Sequence, residues 1–158
     1  MVRFVAALRA SPDALVIGVP LFDETAPRAR IYARQLSRWL VWLACLSRQV
    51  SDPLCGYRGL PLGPTLALLD RVETGDWMDF EPELAVRLVW EGLPVASVET
   101  RVVYRAGNLS HFSLLRDYPR LAWLYARLVA GMLQRLPAHA ARGLRPRPRR
   151  APNGSGRG

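Results

Sequence analysis

The sequence contains no lysine, although it is strongly basic: all 22 cationic side chains are Arg, against 13 acidic ones, and the formal net charge is +9. Cysteine and histidine are scarce, with two of each, and the ten-residue separation of Cys45 and Cys55 fits neither a metal site nor a redox pair. The longest apolar run, 39–46, is eight residues long, whereas a membrane-spanning helix needs about 20. These absences argue against a cysteine-ligated metal and against a spanning helix. With no signal-peptide pattern either, we expect a cytoplasmic protein.

The positive charge is concentrated at one end of the chain. Residues 137–158 contain six Arg and no acid, whereas the 136 residues before them carry a net charge of only +3. The terminal segment is rich in Arg, Pro and Gly and has no apolar periodicity, which predicts disorder. We therefore expect a folded domain over 1–136 and a disordered tail over 137–158. The tail is either a polybasic contact for anionic lipid or nucleic acid, or an ordinary solvated terminus.

Short β-branched runs alternate with segments of helical periodicity, which predicts an α/β fold. The pattern predicts a helix at the N terminus, strands over 14–19 and 95–104, helices over 66–72, 82–91 and 119–136, and a Pro- and Gly-rich loop over 51–62 that holds a short strand. Pro82 suits the first turn of its helix, and Gly92 suits the end of the same helix.

The clearest helix lies between residues 30 and 50. Large apolar residues follow one another at steps of four and three, on one face: Tyr32, Leu36, Trp39, Leu43, Leu46 and Val50. The simpler interpretation is that this face packs on the core and leaves the helix's Arg side chains in solvent. The alternative is an interfacial helix that places Trp39 and Trp42 at the level of lipid headgroups.

Four carboxylates lie within eight residues: Asp76, Asp79, Glu81 and Glu83. A carboxylate at the positive end of a helix can act as a general base, because neighbouring charges and the helix dipole tune its proton affinity. If the helix begins at Pro82, Asp79 and Glu81 lie at alternate positions of an extended segment and point the same way. The other interpretation is ordinary enrichment of acids at a helix N terminus. Glu83 and Arg87 form a favourable i,i+4 pair.

Two loops carry groups that suit phosphate. The first joins Asp52 to Gly56 and Arg58, where glycine permits close backbone approach and Arg offers a bidentate fork. The second follows the predicted strand 95–104 and contains Arg105, Ser110 and His111. Either loop is equally compatible with a purely structural role.

The segments DPLCGYR (52–58), MDFEPELAVRLVWEGLPVASVETRVVY (78–104) and GNLSHF (107–112), in this order, resemble family 2 glycosyltransferases. The similarity covers about residues 15–136 and is strongest to the branch related to dolichyl-phosphate mannose synthase and bacterial lipid-linked sugar transfer. It implies a GT-A fold, of which this chain would form the C-terminal half, with amphipathic helices and an incomplete N-terminal Rossmann-like half.

The resemblance also implies site residues. Glu81, and after it Asp79, occupy the place of the family's catalytic base. The positions that resemble acceptor-side or phosphate-binding residues are Arg58, Arg105, Ser110 and His111. The implied partners are a nucleotide-sugar donor, a hydroxyl or lipid-linked phosphate acceptor, and the anionic inner face of the cytoplasmic membrane.

The family's Asp-x-Asp motif, which binds Mg²⁺ or Mn²⁺ and the donor diphosphate, is missing from this sequence. We therefore expect no metal site in this chain, little or no transferase activity from the chain alone, and a donor-binding half on a preceding segment or a separate chain. The competing hypothesis is a basic module that binds membrane surfaces or nucleic acid. Nucleic acid is the weaker partner, because it gives no reason for the motifs over 79–104 and 107–112.

Overall fold

A computed structural model describes residues 2–22, 28–102 and 114–143. The elements, in chain order, are α1 (Val2–Ala10), β1 (Leu15–Phe22), α2 (Arg28–Cys45), β2 (Arg58–Gly59), α3 (Leu62–Leu69), α4 (Phe80–Trp90), β3 (Val95–Val102) and α5 (Leu114–Gly143). This mixture of helices and strands confirms the α/β prediction. The segment 105–112 and the chain beyond Gly143 lie outside the described residues.

The three strands form one sheet with the order β2-β1-β3. β1 and β3 are parallel, paired from Leu15 opposite Val95 to Phe22 opposite Val102, and β2 pairs antiparallel with β1. Parallel neighbours require a long crossover connection, which α2, α3 and α4 supply here. The central position of β1 explains its apolar run, because residues 14–18 are all buried.

The main core lies between β1 and three helices. Its buried members are Leu15 and Ile17 of β1, Val41, Ala44 and Cys45 of α2, Ala85, Val86 and Trp90 of α4, Leu121, Leu124, Tyr125, Leu128 and Met132 of α5, and Val50 and Cys55 of the intervening loop. Trp90 Nε1 donates a hydrogen bond to the Ala44 carbonyl at 2.8 Å, which fixes α4 against the end of α2. A smaller cluster joins Leu68 of α3 to Leu84 and Leu88 of α4.

The orientation of α2 is the reverse of the simpler sequence-based interpretation. The large apolar side chains predicted to pack on the core are exposed, with 53–72% of each accessible to solvent: Tyr32, Leu36, Trp39, Leu43 and Leu46. The buried face of α2 is instead built from Ser37, Val41, Ala44 and Cys45. These small side chains allow α2 to approach α4 and α5 closely, so the bulky side chains are left on the opposite face. The prediction that the bulky face packs on the core was wrong for these five residues, whereas its sixth member, Val50, follows α2 and is buried in the core.

Several boundaries also differ from expectation. β1 continues through Phe22 into the expected loop, and α2 ends at Cys45 although Val50 continues its apolar spacing. α5 is longer than the predicted helix 119–136 at both ends and runs through Gly143. None of the helices within the described ranges is both long enough and apolar enough to cross a membrane.

Candidate functional site

Arg58 holds the loop that precedes it against the start of α4. Its Nε donates to the Cys55 carbonyl at 2.7 Å, one terminal nitrogen donates to the Glu81 carbonyl at 2.6 Å, and the other donates to the Pro53 carbonyl. Burial lowers the pKa of the guanidinium, and the nearby Glu81 carboxylate opposes that shift. Three of its donors thus serve backbone carbonyls, so the structure gives Arg58 a positioning role. Its expected contact with an acceptor phosphate remains a prediction.

The Glu81 carboxylate lies directly over Gly56 of the same loop. A Cβ at position 56 would be only 3.1 Å from Glu81 Oε1, so this approach requires a glycine or a displaced glutamate. Glu81 is partly exposed, and its carboxylate lies close enough to the Arg58 guanidinium to raise the pKa of that group. The result is a carboxylate that is held at a loop surface and is open to a proton donor from solvent or ligand.

Asp79 is less available than Glu81. The backbone N–H of Trp77 donates to Asp79 Oδ1 at 3.3 Å, and the carboxylate packs so closely on Gly75 that a side chain at position 75 would overlap it. Asp79 is the N-cap residue and has helical backbone angles, and α4 begins at Phe80. Glu81 therefore lies in the first helical turn, so the prediction that both acids share an extended segment was wrong. Pro82 permits the earlier start, because the first turn of a helix does not use its N–H groups.

Glu83 is the structural member of the acidic cluster and is fully buried, with 0% exposed. Its Oε1 accepts hydrogen bonds from Arg87 Nε at 2.9 Å, Arg87 Nη2 at 2.7 Å and Arg127 Nη2 at 2.6 Å. Its Oε2 accepts from the backbone N–H of Gly75 at 3.0 Å. The predicted pair with Arg87 is confirmed, and Glu83 also connects α4 to α5 and to the loop before α4. Fully engaged in this way, Glu83 is unsuited to proton transfer.

A cleft of about 160 Å³ opens at the carboxyl end of β1, between that strand and α2. Its polar lining consists of Arg34, Gln35, Arg38, Ser51 and Asp52, and its apolar lining of Val19, Pro20, Phe22 and Ile31. Arg34 Nη1 pairs with Asp52 Oδ2 at 2.6 Å. Arg38 therefore gives the cleft a net positive charge. The carboxyl ends of parallel strands are a usual place for ligands in α/β folds.

Arg38 is the group in this cleft best suited to an anion. One terminal nitrogen donates to the Gln35 side chain, the Nε is buried without a partner within the described part of the chain, and the guanidinium carbon lies 5.0 Å from the centre of the Trp42 ring. Sequence reasoning missed Arg34 and Arg38 because it placed them on a solvated face. Their four-residue spacing on an acid-free helix, with Asp52 as the nearest following acid, was the available signal.

The remaining candidate residues add no further chemistry to the site. Arg105, Ser110 and His111 lie outside the described residues. Burial raises the pKa of Cys45 to about 12 and also raises the pKa of Cys55, so neither thiol is a nucleophile at neutral pH. Over the described ranges, no three His, Cys, Asp or Glu side chains converge to hold a metal, so the residues present do not fit the family's Mg²⁺ or Mn²⁺ site.

The loop over 51–58 connects the cleft beside β1 with the Glu81 carboxylate. Its first two residues line the cleft, and the Glu81 carboxylate packs against its Gly56.

Comparisons with protein-family models, with curated proteins and with solved structures found no match to this chain.

Proposed function

We propose that this chain is the acceptor-side, base-bearing part of a family 2 glycosyltransferase of the GT-A type, which transfers a sugar from a nucleotide-sugar to a hydroxyl or a lipid-linked phosphate. The observation that supports it most directly is the contact between the Glu81 carboxylate and Gly56. The two motifs that the resemblance pairs, 52–58 and 78–104, lie against each other at this point, and Arg58 fastens them by bonding to carbonyls on both sides.

In the proposed reaction, an acceptor oxygen attacks the anomeric carbon of the donor sugar. A new carbon–oxygen bond forms while the bond to the nucleoside diphosphate breaks, and the diphosphate leaves with that electron pair. When the acceptor is a hydroxyl, its proton passes to the Glu81 carboxylate; an ionised phosphate acceptor has no proton to give up. Glu81 suits this role better than its neighbours, because Asp79 is bonded to its own turn and Glu83 is fully engaged.

The cleft beside β1 supports the acceptor half of the proposal. Arg forks are the usual protein partners of phosphate, and here the Arg38 guanidinium and the Ser51 hydroxyl both line the cleft. The Ser51 hydroxyl lies 2.6 Å from the Ser97 hydroxyl of β3, so its position is defined by the sheet.

Donor binding is assigned elsewhere. In the family, a divalent metal at the Asp-x-Asp motif holds the diphosphate and stabilises the leaving charge, and this sequence contains no such motif. We propose that a preceding segment or a separate chain supplies it, at the cytoplasmic face of the membrane, and that the chain alone neither binds nucleotide-sugar tightly nor transfers sugar.

Transfer of labelled sugar tests the proposal. The assay uses the protein as the cell makes it, with any donor-binding segment or partner chain included, a panel of nucleotide-sugars, and lipid and hydroxyl acceptors. Glu81→Gln removes the proton acceptor but keeps the shape, so turnover with a hydroxyl acceptor is expected to fall roughly 10²- to 10⁴-fold. Glu91→Gln, at an exposed acid just beyond α4, is the matched control and is expected to retain wild-type turnover. Wild-type turnover in Glu81→Gln, or no transfer from any donor, would overturn the proposal.

A further inference from the structure

The bulky face of α2, hereafter the α2 stripe, comprises Tyr32, Leu36, Trp39, Leu43 and Leu46. From Tyr32 to Leu43 it lies opposite the buried residues of the helix and extends for about 17 Å along the axis, and Leu46 follows just beyond the last helical residue. Each side chain is more than half exposed, although apolar side chains of this size favour burial. A continuous row of this kind marks an interaction surface.

The end of α2 indicates that the last side chain of the stripe is retained at a cost. Leu46 has a positive φ of 48°, and the bonds Leu46 N–H to Leu43 carbonyl and Ser47 N–H to Trp42 carbonyl form a Schellman motif. α4 ends with the same pattern of bonds, but there the left-handed position is occupied by Gly92. Glycine is favoured at this position because a side chain is strained there. α2 instead carries a leucine, whose side chain is 54% exposed.

The charges around the stripe select its occupant. Residues 28–51 contain five Arg and no acid, and exposed Arg28 and Arg48 flank the two ends of the stripe. Arg34 is paired with Asp52, but pairing two copies along this helix would still bring the other eight Arg together, with no acid in 28–51 to compensate them. An anionic surface complements them, and Trp and Arg beside an apolar face are typical of helices that lie in the headgroup region of a bilayer.

At the edge of the stripe, aromatic rings lie next to Arg side chains. Trp42 is fixed by a hydrogen bond from Nε1 to the Val50 carbonyl at 2.8 Å, and Trp39 meets its ring edge-on at 5.3 Å. Arg38 and Arg48 lie over the Trp42 ring, with their guanidinium carbons 5.0 and 5.4 Å from its centre. Apolar rings are thus combined with cations at one level, as suits the boundary between acyl chains and phosphates.

We infer that α2 docks on an anionic phospholipid bilayer, with the α2 stripe inserted at the boundary between headgroups and acyl chains and its Arg side chains at the phosphates. The cleft lies on the flank of this surface, because Ile31, Gln35 and Arg38 each directly precede a stripe residue. This inference does not depend on the proposed transferase activity. Its test contains no sugar donor, so the two proposals fail separately.

The test is co-sedimentation of the full chain with vesicles of phosphatidylcholine containing about 30% phosphatidylglycerol, and with vesicles of phosphatidylcholine alone. The stripe variant replaces Leu36, Trp39 and Leu43 by Gln. The matched control replaces Leu62, Leu66 and Trp123, which are equally apolar and exposed but lie on α3 and α5, by Gln. Thermal unfolding of each variant verifies folding, which surface changes leave nearly intact.

The wild type and the control are expected to bind the anionic vesicles with affinities within about twofold of each other, and the stripe variant about tenfold or more weakly. Binding of the wild type is expected to fall on vesicles without phosphatidylglycerol and in about 0.5 M salt. Equal binding by the stripe variant would overturn the inference and direct attention to the Arg-rich terminus. No vesicle binding by the wild type would also overturn it. A dimer in sedimentation velocity that the stripe variant abolishes would show that a second copy, not lipid, covers the stripe.

Discussion

Glu83 shows, at the scale of single residues, how a buried charge is made tolerable. One carboxylate accepts three N–H groups from two Arg side chains and a fourth from the Gly75 backbone, with no exposure to solvent. Transfer of a charge out of water is unfavourable unless it is both paired and hydrogen-bonded. These bonds of Glu83 therefore also hold in position the first turn of α4, where Glu81 lies.

Glu83→Ala is expected to destabilise the fold by about 3–5 kcal/mol, because it leaves Arg87 without its carboxylate in a mostly buried place. Urea unfolding followed by circular dichroism measures the change. Glu91→Ala is the control, since the ion pair of Glu91 with Arg71, at 3.8 Å, is exposed and contributes less than about 1 kcal/mol. Equal midpoints for the two variants would contradict the structural role of Glu83.

Leu46→Gly is expected to stabilise the fold by about 0.5–1 kcal/mol while weakening vesicle binding. Glycine relieves the strain of the left-handed conformation, and part of that gain is offset because glycine also loosens the unfolded chain. Chemical denaturation and co-sedimentation on the same sample measure the two effects. Loss of stability would indicate that Leu46 is held by packing, and unchanged vesicle binding would remove it from the docking surface.

At the scale of elements, α2 shows where a periodic pattern misleads. The helix carries two apolar stripes, one of bulky side chains and one of small residues centred on Val41 and Ala44, and helical periodicity predicts either as the buried one. The size of the residues suggested the bulky stripe. The choice was decided by how closely α2 approaches α4 and α5, which is a tertiary property that local sequence does not contain.

Val41→Gln is expected to destabilise the fold by about 3 kcal/mol, because it places an unpaired amide in a fully buried position. Leu43→Gln, two residues further along the same helix, is expected to change stability by no more than about 0.5 kcal/mol, because that side chain is half exposed. Thermal unfolding compares the two. A reversed order would mean that the bulky stripe is the core face after all.

Local signals predicted much of the remaining architecture. β1 and β3 were predicted near their observed places because each contains a run of β-branched residues. α4 was predicted because Pro82 suits its first turn and Gly92 follows its end. The Glu83–Arg87 pair was predicted because four residues separate its members on one helix face. Two features were not predicted, because both arise where distant segments meet. They are the bond from Arg127 to Glu83, which is 44 residues away, and the cleft between β1 and α2.

At the scale of the whole molecule, the distribution of charge matters more than its sum. The net charge of +9 is divided between a nearly balanced body and an Arg-rich terminus, and α2 adds an acid-free surface with exposed apolar side chains. Bulky aliphatic rows do not favour a nucleic-acid backbone, which is bound through charge and stacking. A bilayer surface suits both components, and the proposed docking of α2 would bring the cleft and Glu81 to the surface where the proposed lipid-linked acceptor lies.

Chemical rescue is the decisive test of the proposal that Glu81 is the catalytic base of a sugar transfer. Glu81→Ala leaves space beside Gly56 for a small carboxylate, so transfer to a hydroxyl acceptor is expected to be lost and then to recover in proportion to added formate. The assay again uses the protein with its donor-binding part present, and Glu81→Gln, whose amide fills the space that formate would need, serves as the comparison that formate does not rescue. Undiminished transfer by Glu81→Ala, or loss that formate fails to restore in a folded variant, would contradict the account.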